Sequence, residues 1–516
     1  MSFIVHQKVR DKTYVYEAES YWDSEKKQSR QRRRYLGVLN EETGEIEKKQ
    51  FKRTVRFAKD YGPSLLLDSV AGELDLREKL EKAFGDVGDE LLALAMAKVI
   101  RPGSLKTMHH VIEDSFIPEL YSLSGGFTSQ HLSRLLESIG RDEDAMSRFY
   151  ASLIQNEGDA LVYDITSLSS YSRNLGWLEY GYNRDGLDIP QVNLGLVVSL
   201  MDRLPLMFKL FPGSVTDVTT LRNLSQEALA LGLKKCLFIL DRGFYSEENI
   251  RLMSEANLDF VMPIPFGRKV SKSLISETNK HILDSENVRM FKGDIYHMVK
   301  KKITIADVKL TGHLFFNKKR ETDEYQTFYK RLLEIEQKLD GKNVGYGNPI
   351  KHFEDTAKQY ARYFECTIEN KTLRLRRRQK AIAQAENRFG KMILISSQPM
   401  PWDQALLIYR EREEAERMFH QLKNELEILP LRVQKMETLR GLLFTSFLAL
   451  LLRAQLLNKA STSGLLKKHS IEDIIQSMAK IRAVQIDNEW HLTEIPKKTR
   501  TILEKLNINI PVTVKT

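Results

Sequence analysis

Short apolar runs separated by turns, in the middle of the chain, constrain the fold more than any other feature of the sequence. They are bounded by polar or glycine-containing stretches and are rich in Val, Ile, Leu and Phe, a pattern that predicts buried strands. One stretch before the last of these runs and another after it have helical periodicity, and Asp217 is predicted to cap the first. The order strand, strand, strand, helix, strand, helix predicts a mixed α/β sheet. The predicted strands are DALVYDITSLSS, QVNLGLVVSLMD, LPLMFKLFPG and KKCLFILDRGF, and the helices are DVTTLRNLSQEALALGL and SEENIRLMSEANL.

Two of the predicted strands end in aspartates. Asp164 comes just before a polar turn, and Asp241 ends the run KKCLFIL. Open α/β sheets place their functional sites at the carboxyl ends of their strands. We therefore take both aspartates as candidate site residues. The alternative is that each one is an ordinary strand-end or capping residue.

A charged stretch further on, IYREREEAERMFHQLKNE at 408–425, is predicted to form one helix. At about 100° per residue, Tyr409, Arg412, Glu416 and Lys423 fall within roughly 60° of one another and make one polar stripe. An apolar stripe lies beside it, and the other charged residues occupy an arc predicted to be solvated. The apolar stripe is Ile408, Ala415, Phe419, Leu422 and Leu426, and the solvated arc is Arg410, Glu413, Glu414, Arg417 and Glu425.

The polar stripe has two interpretations. Arg412 and Glu416 could be an ordinary pair four residues apart on a helix surface, which contributes a few tenths of a kcal/mol. Alternatively, Glu416 joins Asp164 and Asp241 to give three carboxylates. Oxygen ligands of this kind hold hard divalent cations such as Mg²⁺, and a two-metal site suits phosphoryl transfer.

The composition fits a globular protein with an anionic partner. The chain has 516 residues, 42% of them hydrophobic, and 79 Lys and Arg against 69 Asp and Glu give a net charge of +10. A basic balance favours nucleic acid. Only Cys236 and Cys366 occur, which argues against a disulfide framework and fits a reducing compartment. The N-terminal residues lack the apolar run of a signal peptide. The most apolar run has 12 residues, at 441–452, whereas roughly 18 are needed to span a bilayer. We therefore predict that this run is a buried helix.

The rest of the chain divides into segments of different character. Residues 1–60 predict a small strand pair with a basic edge at Arg30, Arg32, Arg33 and Arg34, which could contact phosphates or form a solvated turn. Residues 61–155 predict helices, among them a pair broken at 138–140 and capped by Thr128, which could be a DNA-reading helix-turn-helix or part of a bundle. The predicted catalytic core comprises 156–265 and 391–455, interrupted by a mainly β insertion at 266–390 and followed by a small helical C-terminal region at 456–516.

The sequence resembles a known enzyme family. The segment Tyr409-x2-Arg412-x3-Glu416-x6-Lys423 matches the Y-R-E-K signature of bacterial insertion-sequence transposases of the cut-and-paste DDE type, insertion sequence family four. YDITSL around Asp164 resembles the first-aspartate motif of that family, and DRGF at 241–244 resembles the second. The similarity runs from about 160 to 455 and includes GYNRDGLDIPQVNLGLVV and PGSVTDVTTL.

This resemblance implies an α/β fold with an RNase H-like catalytic core. Asp164, Asp241 and Glu416 would be the catalytic acids and would hold two Mg²⁺ ions, for which Mn²⁺ could substitute. The enzyme would cleave both ends of an insertion element, form hairpin ends and join them to target DNA, acting as a homodimer on paired ends in the bacterial cytoplasm near the nucleoid. The expected DNA-binding residues are Tyr409, Arg412, Lys423, Arg242, Arg32, Arg33 and Arg34.

Two other functions stay open at this point. One is a transposase-derived regulator that binds DNA without cutting it, although a protein that only binds has no need of three metal ligands. The other is an RNase H-like nuclease that cuts DNA without strand transfer.

Overall fold

The chain forms two compact units. The computed structural model describes residues 2–23, 27–41, 43–47, 55–154, 158–233, 235–343, 348–369 and 372–511. The first unit comprises residues 1–59, 482–493 and 511–515, and the second comprises 60–481, 494–510 and 516. The predicted boundary at 155–156 lies outside the described residues.

The strands of the described ranges are β1 (Ser2–Val9), β2 (Lys12–Asp23), β3 (Gln28–Leu39), β4 (Ile46–Glu47), β5 (Val55–Asp60), β6 (Ala160–Ser169), β7 (Gln191–Ser199), β8 (Pro205–Pro212), β9 (Leu237–Leu240), β10 (Asp259–Pro263), β11 (Val288–Phe291), β12 (Asp294–Ile305), β13 (Val308–Phe316), β14 (Phe364–Glu369), β15 (Thr372–Arg377), β16 (Lys391–Ser396), β17 (Arg482–Ile486) and β18 (Glu489–Leu492).

The α-helices of the same ranges are α1 (Gly62–Glu73), α2 (Leu76–Phe84), α3 (Gly88–Ile100), α4 (Leu105–Asp114), α5 (Ile117–Leu120), α6 (Ser129–Arg141), α7 (Glu143–Leu153), α8 (Asp217–Ala230), α9 (Glu247–Glu255), α10 (Lys269–Thr278), α11 (Lys318–Leu339), α12 (Pro349–Ala357), α13 (Gln379–Glu386), α14 (Trp402–Arg410), α15 (Glu413–His420), α16 (Met436–Thr462), α17 (Ile471–Met478) and α18 (Lys497–Lys505).

The first unit contains the basic residues of the N-terminal segment. Strands β1 to β4 form an antiparallel sheet in sequential order, and β5, β17 and β18 belong to a second small sheet. Because the two-residue β4 pairs only with Val38 and Leu39, the arginine-rich half of β3 pairs with β2 alone among the described strands. The predicted strand pair with a basic edge corresponds to β2 and β3, which belong to a four-stranded sheet, and the arginines lie on a strand and not in a turn. Arg32 and Arg34 lie directly opposite Glu19 and Glu17 of β2.

The second unit is built on a nine-stranded mixed sheet. Its strand order is β11-β12-β13-β16-β10-β9-β6-β7-β8. The strands β6, β9 and β10 run parallel, and the other neighbouring pairs are antiparallel. The predicted mixed α/β sheet and the strands at β6 to β9 and β16 are confirmed. Strands buried along most of their length, such as β7, explain the continuous apolar runs of the sequence.

The register between β6 and β9 brings the two aspartates to the same level. Tyr163 on β6 is paired with Leu240, the last residue of β9. Asp164 and Asp241 are the next residues on the two parallel strands. Asp241 therefore follows its strand as predicted, whereas the prediction that Asp164 ends a strand is wrong, because antiparallel pairing with β7 extends β6 to Ser169.

The segment predicted as a mainly β insertion differs from the expectation. Strands β11 to β13 extend the main sheet, because β13 pairs with β16 along six residues from Thr311 to Phe316. The part that follows, from α11 to α13, is mainly helical, with the single hairpin β14–β15. It has its own core, formed by Phe328, Leu332, Ile335, Leu339, Phe353, Ala357, Tyr363, Phe364, Ile382 and Ala385.

A long apolar helix forms the core beside the sheet. Helix α16 has 27 residues and packs on α6, α3 and β8. It is long and apolar enough to cross a membrane by length and composition, but 78% of its most apolar window is buried inside the fold, as predicted for residues 441–452. The predicted helix break at 138–140 is wrong: α6 continues to Arg141, and Asp142 separates it from α7. The Thr128 hydroxyl caps α6, as predicted, by accepting a hydrogen bond from His131 N at 3.2 Å.

Two glycines let α6 and α16 approach closely. A Cβ atom on Gly441 would lie 1.9 Å from the carbonyl oxygen of Leu136, and a Cβ on Gly140 would lie 1.7 Å from that of Glu437. Carbon and oxygen atoms cannot approach so closely, and the obstacle is backbone on both sides. The two helices therefore pack in this way only if both positions lack a side chain.

We predict that Gly441→Ala destabilises the protein by about 3 kcal/mol or more, because the helices must separate and lose core packing. Urea unfolding followed by circular dichroism measures the change. Gly72→Ala is the matched control: Gly72 lies in α1 with no atom within 4 Å of an added Cβ, so this change should leave stability unchanged or raise it by up to about 1 kcal/mol. Equal stability of the two variants would contradict the close packing of α6 and α16.

Candidate active site

Three acidic side chains from separate elements of the second unit converge on one arginine. Asp164 comes from β6, Asp241 follows β9, and Glu416 lies on α15. Arg412 Nη1 lies 3.8 Å from Asp164 Oδ2 and 3.9 Å from Asp241 Oδ1. Arg412 Nη2 lies 2.6 Å from Glu416 Oε1. The structure therefore brings together the three acids that the sequence singled out, although Asp241 lies 77 positions after Asp164 and Glu416 lies 175 positions after Asp241.

The three carboxylates differ in their access to solvent. The side chain of Asp164 is 15% exposed, whereas those of Asp241 and Glu416 are 41% and 52% exposed. Burial raises the pKa of Asp164 to about 6, against the hydrogen bond from Ile165 N and the charge of Arg412, which lower it. The cluster thus has a buried inner wall and two open acids, so a ligand can enter from one side.

The second aspartate is held by a tight turn. The residues Arg242–Phe244 form a 3₁₀-helix directly after Asp241. A Cβ on Gly243 would lie 2.7 Å from Asp217 Oδ2, so a side chain at this position would displace the carboxylate of Asp217, the first residue of α8. Asp217 forms an ion pair with Arg184, which that displacement would disturb. The close approach of the Asp217 carboxylate therefore accounts for the glycine of the DRGF motif.

The stretch 408–425 is not the single regular helix that we predicted. Helix α14 ends at Arg410, α15 begins at Glu413, and Gln421–Glu425 forms a π-helix. Residues 411 and 412 form a turn with hydrogen bonds between residues three apart, such as Ala415 N to Arg412 O at 3.1 Å. A helical wheel over 409–423 therefore cannot place all four signature residues, although Arg412 and Glu416 do lie in contact.

The burial of this stretch corrects two further predictions. Glu414, predicted to be solvated, is buried: its side chain is 6% exposed and accepts a hydrogen bond from Arg417 at 2.7 Å. Arg410, also predicted to be solvated, contacts the Tyr296 hydroxyl and the Phe291 ring. Ala415, Phe419, Leu422 and Leu426 are buried as predicted, whereas Ile408 is half-buried.

Two signature residues differ in their relation to the acids. The Tyr409 ring lies 6.0 Å from the Arg412 guanidinium carbon, and burial raises its pKa, with a further rise from Asp241. Tyr409 is therefore part of the cluster. Lys423 instead binds Asp185, with Nζ 2.8 and 2.9 Å from the two carboxylate oxygens. Its side chain is only 11% exposed.

The loop between β6 and β7 supplies residues that we did not predict individually. Arg184 pairs with Asp217, and its charge lowers the pKa of Asp164. Asp185 anchors Lys423. Both residues lie in GYNRDGLDIPQVNLGLVV, and this similarity was the available signal. Sequence alone does not show that the loop returns to the site.

The remaining predicted DNA-binding residues are exposed. Arg242 lies beside Asp241, near enough for its charge to lower the pKa of Tyr409. Arg32, Arg33 and Arg34 are exposed on β3 in the first unit. Their contact with DNA stays a prediction.

The acid cluster suits a cation. Its potential metal ligands are all carboxylate oxygens, which Mg²⁺ and Mn²⁺ prefer. A positive group already lies among them, because Arg412 contacts all three. In the described residues, the one set of three acidic or histidine ligand atoms within 4.8 Å of one another is His109, His110 and Glu113 on α4. The three acids are therefore spread around the guanidinium, and closing them around a metal would require Arg412 to move.

A cluster of acids beside basic side chains suits metal-assisted chemistry on phosphate esters. The sequence family described as "Transposase DDE domain" matches residues 156–452, more than half of the chain, and this protein belongs to that family. It is a DDE transposase, an enzyme that cleaves DNA and transfers strands with the help of divalent metal ions.

Other comparisons add little. A cryo-EM structure of the piggyBac transposase synaptic complex with hairpin DNA is similar over 81% of this chain and 80% of its own, at 11% identity and a TM-score of 0.39. So low a similarity supports no argument about this chain. The search of curated proteins found no match. The predicted transposase and its DNA partner are confirmed by the family, and the open alternative of a binding-only regulator does not fit an enzyme family.

We predict that Glu414→Ala destabilises the protein by about 1–3 kcal/mol, because it leaves Arg417 without its hydrogen-bonded partner and removes buried packing. Glu413→Ala, one residue earlier and exposed, should change stability by less than about 0.5 kcal/mol. Urea unfolding of both variants measures the difference. If Glu413→Ala were the more damaging change, the orientation of α15 described above would be wrong.

Proposed function

We propose that this protein is a cut-and-paste transposase of a bacterial insertion element of family four, with an RNase H-like catalytic core. One observation carries the proposal: Asp164, Asp241 and Glu416, from three elements of the second unit, surround the single guanidinium of Arg412. The Y-R-E-K spacing at 409–423 supports the family assignment. As a bacterial DNA enzyme, the protein would work in the cytoplasm, associated with the nucleoid.

The three acids would hold two Mg²⁺ ions, or Mn²⁺ in their place. When bound, such ions polarise the scissile phosphate and make water or a 3′-hydroxyl a stronger nucleophile. Asp164 is the rigid member of the set, because β7 and β9 fix its strand on both sides. Asp241 and Glu416 are more exposed and would close on the ions from the solvent side.

The basic and aromatic residues would position DNA. Arg412 and Tyr409 lie in contact at the acid cluster, where a guanidinium and a hydroxyl can donate hydrogen bonds to phosphate oxygens. Arg242 is exposed and would contact the DNA backbone next to the cleaved phosphate. On DNA binding, Lys423 would either leave Asp185 and bind a phosphate, or bind the phosphate while its ion pair with Asp185 stays in place. Arg32, Arg33 and Arg34, on β3 of the first unit, would contact end DNA.

The reaction would begin with a nick at the end of the element. The freed 3′-hydroxyl would attack the opposite strand to give a hairpin end, and the reopened end would later attack target DNA. Two copies of the protein would act together on paired ends. Hairpin ends, terminal inverted repeats and a homodimer are parts of this proposal.

We predict that Asp164→Asn, Asp241→Asn and Glu416→Gln each lower nicking of end DNA by at least about 100-fold while DNA affinity changes only a few-fold, because each change removes a metal ligand and leaves the basic surface intact. Single-turnover nicking and gel-shift assays on the same preparation measure both. Glu413→Gln, a neutralised glutamate on the same helix, is the matched control and should nick normally. A triad variant that nicks at the wild-type rate would remove that residue from the site.

Strand transfer is tested in the same reactions. Labelled precleaved ends should join to a target plasmid with the wild-type protein and Glu413→Gln, and should fail to join with the three acid variants. Cleavage without joining by the wild-type protein would indicate a nuclease instead.

We also predict that Arg412 and divalent cations compete for the three acids. Without divalent cations, Arg412→Gln should lower the melting temperature, because the carboxylates lose their positive partner. Added Ca²⁺ should then raise the melting temperature of Arg412→Gln more than that of the wild type, because no guanidinium has to be displaced. Arg417→Gln is the control, since Arg417 binds Glu414 on the other side of α15. Equal Ca²⁺ shifts in all three proteins would show that Arg412 does not occupy the metal position.

A further inference from the structure

A cavity in the second unit, apart from the acid cluster, contains a buried lysine. The cavity has a volume of about 320 Å³ and lies between α3, α4, α6 and α16 and the segment 427–433. None of the predicted site residues lines it. Its volume is at the lower end of the range that is usual for small-molecule sites.

Lys98 is the unusual residue of this cavity. It lies near the end of α3, is 4% exposed and lines the cavity. Within the described part of the chain, its ammonium group has no hydrogen bond and no ion pair. Burial lowers the pKa of Lys98 to about 8, and the nearby charge of Glu427 lessens this fall. A buried charge without a partner is costly, so an anion in the cavity would be strongly favoured.

The start of α4 adds to the positive potential. Helix α4 begins at Leu105 with Ser104 as its N-cap, whose hydroxyl accepts a hydrogen bond from Thr107 N at 3.4 Å. The N-terminus of a helix carries a partial positive charge and free amide groups, a combination that binds phosphate. Here it lines the same cavity as Lys98.

The side chains of the cavity also have an excess of positive charge. Lys98, Lys106 and Arg432 line it together with one acid, Glu427. Three cations against one acid leave two positive charges when Lys98 is protonated. This excess matches a phosphate group better than a carboxylate.

Most of the remaining wall is apolar. Leu94, Met108 and Leu136 line one part, and Ile428 and Leu442 line another. Such a wall binds an aliphatic or aromatic body. An inorganic anion alone would leave this apolar surface uncovered.

We propose that the cavity at Lys98 binds a phosphate ester with an apolar or aromatic body, with the phosphate at Lys98 and the start of α4. The ester is either a free small molecule or a nucleotide unit of DNA, which share this chemistry. Nothing in the cleavage reaction requires the site, so it is a second binding site of the transposase.

The test uses the full-length protein and phenyl phosphate as the probe. Saturating phenyl phosphate should raise the melting temperature of the wild type by about 2–5 °C. Benzyl alcohol, which lacks the phosphate, should give no rise, and inorganic phosphate should give a smaller one. The rise should be absent in Lys98→Met, which keeps an unbranched side chain one atom shorter than lysine and removes its charge. It should persist in Lys280→Met, a change at an exposed lysine outside the cavity.

Chemical labelling tests the site without a variant. Acetylation of wild-type Lys98 by a water-soluble amine reagent, followed by peptide mass spectrometry, should slow several-fold in phenyl phosphate, while acetylation of Lys280 should not change. No melting shift in the wild type, an equal shift in Lys98→Met or unprotected Lys98 would each overturn the proposal.

Saturation with end DNA separates the two sources of the ester. If the phenyl phosphate shift persists on the DNA complex, the natural ligand is a free small molecule. If DNA alone protects Lys98 from acetylation and abolishes the shift, the ligand is a nucleotide of the DNA. Both results support a phosphate-ester site at Lys98.

Discussion

The repulsion among three carboxylates is the constraint on which the catalytic region depends. Asp164, Asp241 and Glu416 can lie around one point only if positive charge lies there too, and in this structure Arg412 supplies it. In the proposed function the same cluster would hold divalent cations, because metal ions provide more charge in less space than a guanidinium. Arg412 contacts all three acids in this structure. Under the proposed function it would be released when metal binds and could then hold a phosphate.

The fold meets this constraint with elements of different rigidity. The parallel pairing of β6 and β9 sets Asp164 and Asp241 side by side, and antiparallel pairing with β7 fixes Asp164 further. Glu416 comes from α15, which is packed through Ala415 and Phe419. The turn at 411–412 and the π-helix at 421–425 interrupt the helix on both sides of this residue. Arg412, which pairs with the acids, lies in the turn, and Lys423, which pairs with Asp185, lies in the π-helix.

The extent to which sequence predicted this site differs from residue to residue. Strands β6 to β9 were predictable because buried strands give continuous apolar runs. The two aspartates were indicated by these runs and their motifs, and Glu416 by the Y-R-E-K spacing. The irregular helix was not predictable, since propensity and periodicity treat 408–425 as one charged helix. Burial of Glu414 was missed because its partners include Arg203, which is distant in sequence. Strands β11 to β13 were assigned to an insertion because pairing between β13 and β16 joins segments about 80 residues apart. Such long-range pairings have no local signal.

Metal-directed cleavage of the polypeptide tests the central claim most directly. Fe²⁺ can occupy oxygen-ligand sites of Mg²⁺, and with ascorbate and peroxide it generates radicals that cut the nearby backbone. The account predicts cuts close to residues 164, 241 and 416 together, suppressed by excess Mg²⁺ and lost at all three places in Asp164→Asn. Cuts confined to other regions, for example around His109 and Glu113, would contradict a shared metal site at the three acids.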